Sequence, residues 1–183
     1  NMTLEEKVGQ MFFVRCPAAD QAEKVREYHL GGYLLFSRDF KDSAGSYLTR
    51  DQFTAAIASY QDAAAIPLLI GVDEEGGTVS RIGANEALGG TKVADMRSFG
   101  QSADPAQVYA AGQTLAANLT GLGFNLDFAP DCDVVSGVDS VIGSPSFARR
   151  RIPGTSPHVD SEMCRIPMCT PPSSPSIRKN RTT

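Results

Sequence analysis

Tryptophan is absent from this chain of 183 residues, and histidine and cysteine are scarce, with two and four copies. The cysteines lack the paired spacing of zinc ligands, and so few of them in a chain this long do not make a disulfide framework. No G-x-G-x-x-G or P-loop motif follows an apolar run, so nucleotide binding has no support. We therefore expect neither a metal nor any other cofactor.

Long apolar segments are missing as well. The sequence has no run of about 18 apolar residues, the length that a membrane-spanning helix requires. No basic segment followed by an apolar one stands at the beginning of the sequence, as an export signal would. With 42% hydrophobic residues and a net charge of −4, the composition is typical of globular proteins. We expect a soluble protein with no membrane span, either cytoplasmic or secreted.

A change in composition divides the chain near residue 147. Residues 1–144 contain 10 Lys+Arg, 19 Asp+Glu and 4 prolines. Residues 145–183 contain 7 Lys+Arg, 2 Asp+Glu and 7 prolines. Such dense proline prevents helices and central strands. We interpret residues 1–147 as a folded domain and residues 148–183 as an irregular basic tail. Because the tail has few aromatic side chains to stack on bases, solvated disorder is favoured over nucleic-acid binding.

Apolar runs alternate with helical patterns in the first part of the chain, which predicts an α/β fold with a parallel sheet. Four runs are predicted to be strands, at residues 10–14, 33–36, 68–72 and 124–128. Capping boxes at Thr3 and Thr49 predict two helix starts. The first helix should carry Leu4 and Val8 on one side. A helix from residue 20 should stop at the glycine pair of residues 31–32.

The third predicted strand ends in the most informative motif of the sequence. Asp73 directly follows the last strand residue, and Glu74, Glu75, two glycines and Arg81 come after it. Parallel strands of α/β barrels present functional carboxylates at their carboxyl ends, where glycines free the backbone. We therefore expect a functional role for Asp73. Glu74 and Glu75 are expected to be solvated loop acids.

Four motifs together resemble family 3 glycoside hydrolases, in particular their β-N-acetylglucosaminidase (β-N-acetylhexosaminidase) branch. They are MTLEEKVGQM at residues 2–11, GGYLLFSR at 31–38, VDEEGG at 72–77 with Arg81, and LGFNLDFAP at 122–130. The resemblance implies a (β/α)₈ TIM barrel that hydrolyses terminal β-linked N-acetylglucosamine with retention. It implies that Asp73 accepts hydrogen bonds from sugar hydroxyls and that Arg81 holds the same ring. Asp127 would belong to a structural motif at a strand end.

The chain departs from the family pattern after these motifs. Pro145 stands where family members carry a sugar-binding arginine, and the segments with the acid/base and the nucleophile are not found after Phe147. A retaining glycosidase needs both groups, so no catalytic residue is assigned. We expect an incomplete glycosidase whose tail comes from a frame change or a chimeric gene model.

Two alternatives stay open. One is a non-catalytic carbohydrate-binding or interaction module derived from the same barrel, and the other is an unrelated α/β domain with a chance motif. In the preferred reading the partner is a small carbohydrate. The chain would form about the first half of the barrel, and the exposed sheet would favour self-association.

Overall fold

The computed structural model describes residues 1–102 and 104–131, so the tail expected at residues 148–183 and the boundary at residue 147 lie outside the described residues. Within these residues the sheet has four strands: β1 Phe13–Arg15, β2 Gly32–Leu34, β3 Leu69–Val72 and β4 Leu126–Asp127. Their order is β1-β2-β3-β4, and each neighbouring pair is parallel. The expected α/β architecture with a parallel sheet is confirmed.

Five helices connect or flank the described strands. They are α1 Leu4–Gln10, α2 Gln21–Tyr28, α3 Arg50–Ala63, α4 Met96–Ser102 and α5 Pro105–Thr120, and two short 3₁₀ turns cover Ser37–Phe40 and Glu86–Leu88. Both predicted capping boxes form. At the start of α3, for example, Thr49 Oγ1 accepts a hydrogen bond from Gln52 N, and Gln52 Oε1 accepts one from Thr49 N. These local signals are reliable because each depends on residues within one helical turn.

The start of the chain corrects one expectation, the position at which the first strand begins. Gln10 ends α1 instead of opening the first strand, which begins at Phe13. Leu4 and Val8 are 76% and 46% exposed, so they do not face a core. The helix approaches α2 through Gly9, where an added Cβ would lie 2.1 Å from the Tyr28 carbonyl oxygen. The contact between α1 and α2 is therefore made by backbone at a glycine, without Leu4 or Val8.

The end of α2 also differs from the prediction. His29 caps this helix in the left-handed conformation, with φ of 50°. Gly32 instead opens β2, and an added Cβ there would lie 2.4 Å from the carbonyl oxygen of Leu69. The glycine pair therefore permits close strand packing and does not stop the helix.

The two faces of the sheet have different surroundings. One face packs against the helices, and Tyr33, Ile70 and Val72 are fully buried there. On the other face, which we call the open face, the rings of Phe13 and Phe128 lie 5.5 Å apart above Gly71. Leu69 and Phe128 are 48% and 47% exposed. The open face therefore presents apolar side chains to solvent.

Candidate functional site

The candidate site lies at the carboxyl ends of β3 and β4. Val72 and Asp127 are register partners at this edge. The backbone N–H of Glu74 donates to Asp127 Oδ1 at 3.0 Å, and that of Phe128 donates to the Val72 carbonyl at 2.9 Å. These bonds hold the segment after β3 against β4, so that the acids of both strands lie at one edge.

A tight turn after β3 reverses the chain. Gly76 and Gly77 have φ values of 84° and 59°, a region that side-chain-bearing residues rarely adopt. The N–H of Glu75 donates to the Val79 carbonyl at 2.8 Å, and an isolated antiparallel bridge joins Gly76 to Val79. A Cβ at Gly76 would lie 2.4 Å from the Ala94 carbonyl oxygen. The glycines predicted to free the backbone are therefore required by conformation and by space.

The turn brings the two predicted sugar-binding residues together. Arg81 Nη2 lies 3.7 Å from Asp73 Oδ2, and the two side chains are 26% and 29% exposed. The pair is thus partly sheltered and still open to solvent. Arg81 Nε has no hydrogen-bond partner within the described part of the chain, although it is buried. An unpaired buried donor is uncommon in folded proteins, and a bound water molecule or a ligand would satisfy it.

Glu74 contradicts the expectation of a solvated acid, because its side chain is 0% exposed. It accepts hydrogen bonds from Ser80 Oγ at 2.6 Å and from three successive backbone N–H groups, those of Arg81 at 2.6 Å, Ile82 at 2.8 Å and Gly83 at 3.0 Å. A buried carboxylate is tolerated when hydrogen bonds replace its hydration. Glu74 therefore holds the returning strand of the turn.

Glu75 also differs from a solvated acid. It is partly buried, and its Oε2 atom has no hydrogen-bond partner among the described residues. Burial raises the pKa of this carboxyl, and the charges of Asp131 and Asp73 add to the rise. The acids at this edge thus repel one another.

Asp127 has the most perturbed carboxyl at the site. Burial raises its pKa to about 7; the hydrogen bond from Glu74 N opposes this, and the charges of Glu74, Asp73 and Glu75 reinforce it. A carboxyl that titrates near neutral pH is a functional candidate on general grounds. Here its contact with Glu74 N supports the structural role that the family resemblance implies.

The ends of β1 and β2 are joined by polar contacts of their own. Arg38 Nη2 donates a hydrogen bond to the Cys16 carbonyl oxygen. Arg38 Nε donates to Asp39 Oδ1 at 3.1 Å. Asp39 Oδ2 accepts from the Phe36 N–H at 2.8 Å. The guanidinium of Arg15 lies 5.1 Å from the centre of the Phe36 ring. Arg38 and Asp39 thus stabilise this edge of the sheet.

A cavity of about 280 Å³ lies at the opposite, amino-terminal edge of the sheet. It is lined by parts of α1, α2 and the end of α3, including Gln10, Arg26, His29 and Ile66. None of the predicted site residues lines it. The carboxyl edge remains the candidate site because the charged pair and the unpaired donor lie there.

The described residues contain neither a metal-binding cluster nor a membrane-spanning helix. Within residues 1–102 and 104–131, no group of three or more His, Cys, Asp or Glu side chains is arranged to hold a metal ion. No helix in these ranges has the length and apolar character needed to cross a membrane.

These features define an α/β protein in which parallel strands alternate with helices and a polar site lies at their carboxyl ends. Residues 3–152 match the family described as the glycosyl hydrolase family 3 N terminal domain, and the chain belongs to this family. The resemblance in the motifs is thereby confirmed. The fold of this domain is TIM-barrel-like, and the described strands form part of it.

Individual relatives agree with the family. The chain is 35% identical over 134 residues to a β-hexosaminidase of Bordetella pertussis, a match that covers 70% of this chain and 35% of that protein. Among solved structures, it resembles a family 3 β-N-acetylglucosaminidase from a Paenibacillus species with a TM-score of 0.69 and 33% identity, over 80% of this chain and 28% of that one. It also resembles a β-N-acetylhexosaminidase from Beutenbergia cavernae, with a TM-score of 0.66 and 28% identity. That match covers 81% of this chain and 46% of the other.

The chain spans about a third of the length of the curated relatives it matches.

Proposed function

We propose that Asp73 and Arg81 bind a terminal N-acetylglucosamine-type sugar. A carboxylate accepts hydrogen bonds from hydroxyls and a guanidinium donates them, so the pair offers both halves of hydroxyl recognition. The observation that carries the proposal is their 3.7 Å approach at a partly exposed edge, with Arg81 Nε unpaired among the described residues. Relatives named β-hexosaminidase and β-N-acetylglucosaminidase support this sugar class.

The reaction of the longer relatives would be hydrolysis of terminal β-linked N-acetylglucosamine. The acid/base and nucleophile segments implied by the resemblance do not occur in this sequence, and a retaining glycosidase needs both groups. Asp73 alone cannot supply them. We propose that this chain by itself recognises the sugar weakly and does not turn it over. A carbohydrate-binding or interaction module derived from the same barrel would share these properties.

Calorimetric or NMR titration with N-acetylglucosamine tests the sugar site. A few exposed hydrogen bonds are each worth about 1–3 kcal/mol at most, which corresponds to a dissociation constant in the millimolar range or weaker. Asp73→Ala should weaken binding at least tenfold. Asp62→Ala, the same change at an exposed position of α3, should leave it unaltered. Equal affinities for the wild type and Asp73→Ala would refute the site.

A chromogenic N-acetylglucosaminide tests the second part. We expect no turnover above the uncatalysed rate with the purified chain. Turnover that disappears in Asp73→Ala would show that a catalytic pair lies within residues to which we assign structural roles.

Association of the chain follows from its open face. Phe128 and Leu69 expose apolar surface there, and β1 and β4 are the edges of the described sheet. Such surface favours self-association, and we propose that the isolated chain forms dimers or larger species. Light scattering at micromolar concentration should show a mass above 19.5 kDa. Leu69→Ser should lower this mass, whereas Tyr109→Ser, at an exposed position of α5, should not.

A further inference from the structure

The carboxylate of Glu74 is enclosed by the segment that carries Arg81. Oε1 accepts from Ser80 Oγ and Gly83 N, and Oε2 accepts from Arg81 N and Ile82 N, at distances between 2.6 and 3.0 Å. Successive backbone N–H groups that converge on one anion form a nest, an arrangement that proteins use to bind carboxylates and phosphates. In this nest the anion is a side chain of the protein itself.

Glu74 is also tied to the rigid part of the fold. Its backbone N–H donates to Asp127 Oδ1 at 3.0 Å, at the end of β4. Its neighbour Asp73 follows β3 directly. One residue therefore connects the ends of two strands to the Ser80 hydroxyl and to the backbone of residues 81–83. Apart from this connection, the segment of Arg81 is joined to β3 through the glycine turn and the backbone contacts of Val79 with Glu75 and Gly76, all of which lie before Arg81.

We propose that Glu74 is a positioning residue that holds Arg81 against Asp73 for sugar binding. This inference rests on the proposed function of that pair. The nest includes the backbone N–H of Arg81 itself, so the restraint acts on the residue whose guanidinium approaches Asp73 at 3.7 Å. Because the Glu74 side chain is 0% exposed, it is not placed to contact a ligand directly, and its effect on the sugar site would pass through Arg81.

Glu74→Gln is the sharpest substitution, because it keeps the size of the side chain and replaces one acceptor with an NH₂ group. At the Oε2 position that NH₂ group would face the N–H groups of Arg81 and Ile82, and at the Oε1 position it would face Gly83 N–H, whereas Ser80 Oγ could accept from it. At least one hydrogen bond of the nest would therefore be lost. Glu86→Gln makes the same change of charge at an exposed position and serves as the control. Ser80→Ala removes one of the four donors and leaves the carboxylate in place.

A double-mutant cycle tests whether Glu74 acts through Arg81. In titrations of the full chain with N-acetylglucosamine, Glu74→Gln should weaken binding about tenfold, the effect of losing one good contact. In the Arg81→Ala background the same change should weaken binding less than about twofold. Equal losses in both backgrounds would overturn the proposal, because Glu74 would then act independently of Arg81. Glu86→Gln should have no effect in either.

NMR relaxation provides a readout that needs no sugar. Rigid backbone gives order parameters near about 0.85 and mobile backbone gives values below about 0.6. The amides of Arg81, Ile82 and Gly83 should move from the first range toward the second in Glu74→Gln, while amides of α3 stay unchanged. Unchanged order at these amides would overturn the proposal.

The two readouts keep the two hypotheses apart. If the wild type binds no sugar, the proposed function fails, and the order parameters alone decide whether Glu74 positions the loop. If Glu74→Gln does not fold, Ser80→Ala tests the proposal in its place. We expect this variant to bind the sugar about two- to threefold more weakly and to lower the order parameters of residues 81–83 by less than Glu74→Gln would. Wild-type behaviour of Ser80→Ala in both readouts would then count against the proposal.

Discussion

Arg81 Nη2 lies 3.7 Å from Asp73 Oδ2, although a complete turn of the chain separates the two residues. Both belong to one strand–turn segment after β3. The unit predicted to recognise the sugar is therefore local in sequence, and both β4 and residues 93–95 lie against it. This locality explains how the pair forms in a chain that spans about a third of its curated relatives.

Gly76 should tolerate no side chain. Gly76→Ala would force a residue with Cβ into φ of 84° and place that Cβ 2.4 Å from the Ala94 carbonyl oxygen. Gly45 has a similar φ of 82° with open space around it, so Gly45→Ala measures the cost of the conformation alone. Conformational strain costs about 1–2 kcal/mol, and Gly76→Ala should lose clearly more. Urea denaturation of both variants measures the difference, and equal losses would contradict the turn geometry.

Asp127 should make stability depend on pH. Burial raises the pKa of its carboxyl from 3.8 to about 7 in the folded chain, so the folded state retains a proton that the unfolded state releases. The contribution of Asp127 to stability is therefore full below about pH 4, falls as pH rises toward 7 and is constant above.

Asp127→Asn cannot release this proton, and its side-chain oxygen can still accept from Glu74 N. The variant should match the wild type near pH 4 and gain up to about 4 kcal/mol relative to it by pH 8. Melting temperatures measured across this range provide the test. Parallel curves for the two proteins would show that the pKa is not raised.

Phe53 should be essential for the core between the helices and the sheet. Its ring lies 5.2 Å from that of Phe40 and 5.6 Å from that of Phe124, and it is 1% exposed. Phe53→Ala should cost about 3–5 kcal/mol, because it leaves a cavity between two aromatic rings. Tyr109→Ala, at a 54% exposed position, should cost less than about 0.5 kcal/mol. Chemical denaturation distinguishes the two, and a loss below about 1 kcal/mol at Phe53 would refute this packing.

Cys16 should be unreactive in the folded chain. It is 1% exposed, and burial raises the pKa of its thiol to about 12, with a further rise from Asp39. Because the thiolate is the reactive species, iodoacetamide at pH 8 should alkylate Cys16 much more slowly in native than in denatured protein. Mass spectrometry of the peptide that contains residue 16 measures both rates. Equal rates would show that the thiol is accessible.

The sequence predicts those features of the fold that depend on neighbours along the chain. The capping boxes need residues within one turn of helix, and the strand before Asp73 needs only a continuous apolar run. Glu74 was misjudged because its partners are backbone N–H groups, which converge only after the turn has formed. The sequence did contain a signal for this burial: Glu74 is followed by a glycine turn and, six residues later, by Ser80.

Long-range polar contacts were equally beyond prediction. The side chain of Asn125 accepts from Ile70 N at 2.7 Å and donates to the Leu68 carbonyl at 2.8 Å, which supplements the pairing of β3 with β4. The sequence pattern around Asn125 is that of a strand and gives no sign of these bonds. The sequence also gives no sign that Leu4 and Val8 are exposed, since the close approach of α1 at Gly9 depends on the position of α2.

The most direct test of the account asks which edge of the sheet binds the sugar. Titration of ¹⁵N-labelled chain with N-acetylglucosamine, followed by amide chemical shifts, separates the turn after β3 from the cavity at the opposite edge. We predict saturable shifts at residues 73–83 that disappear in Asp73→Ala. Shifts confined to residues 26–30 and 63–66, or saturation of residues 73–83 that survives in Asp73→Ala, would contradict the assignment of the sugar site.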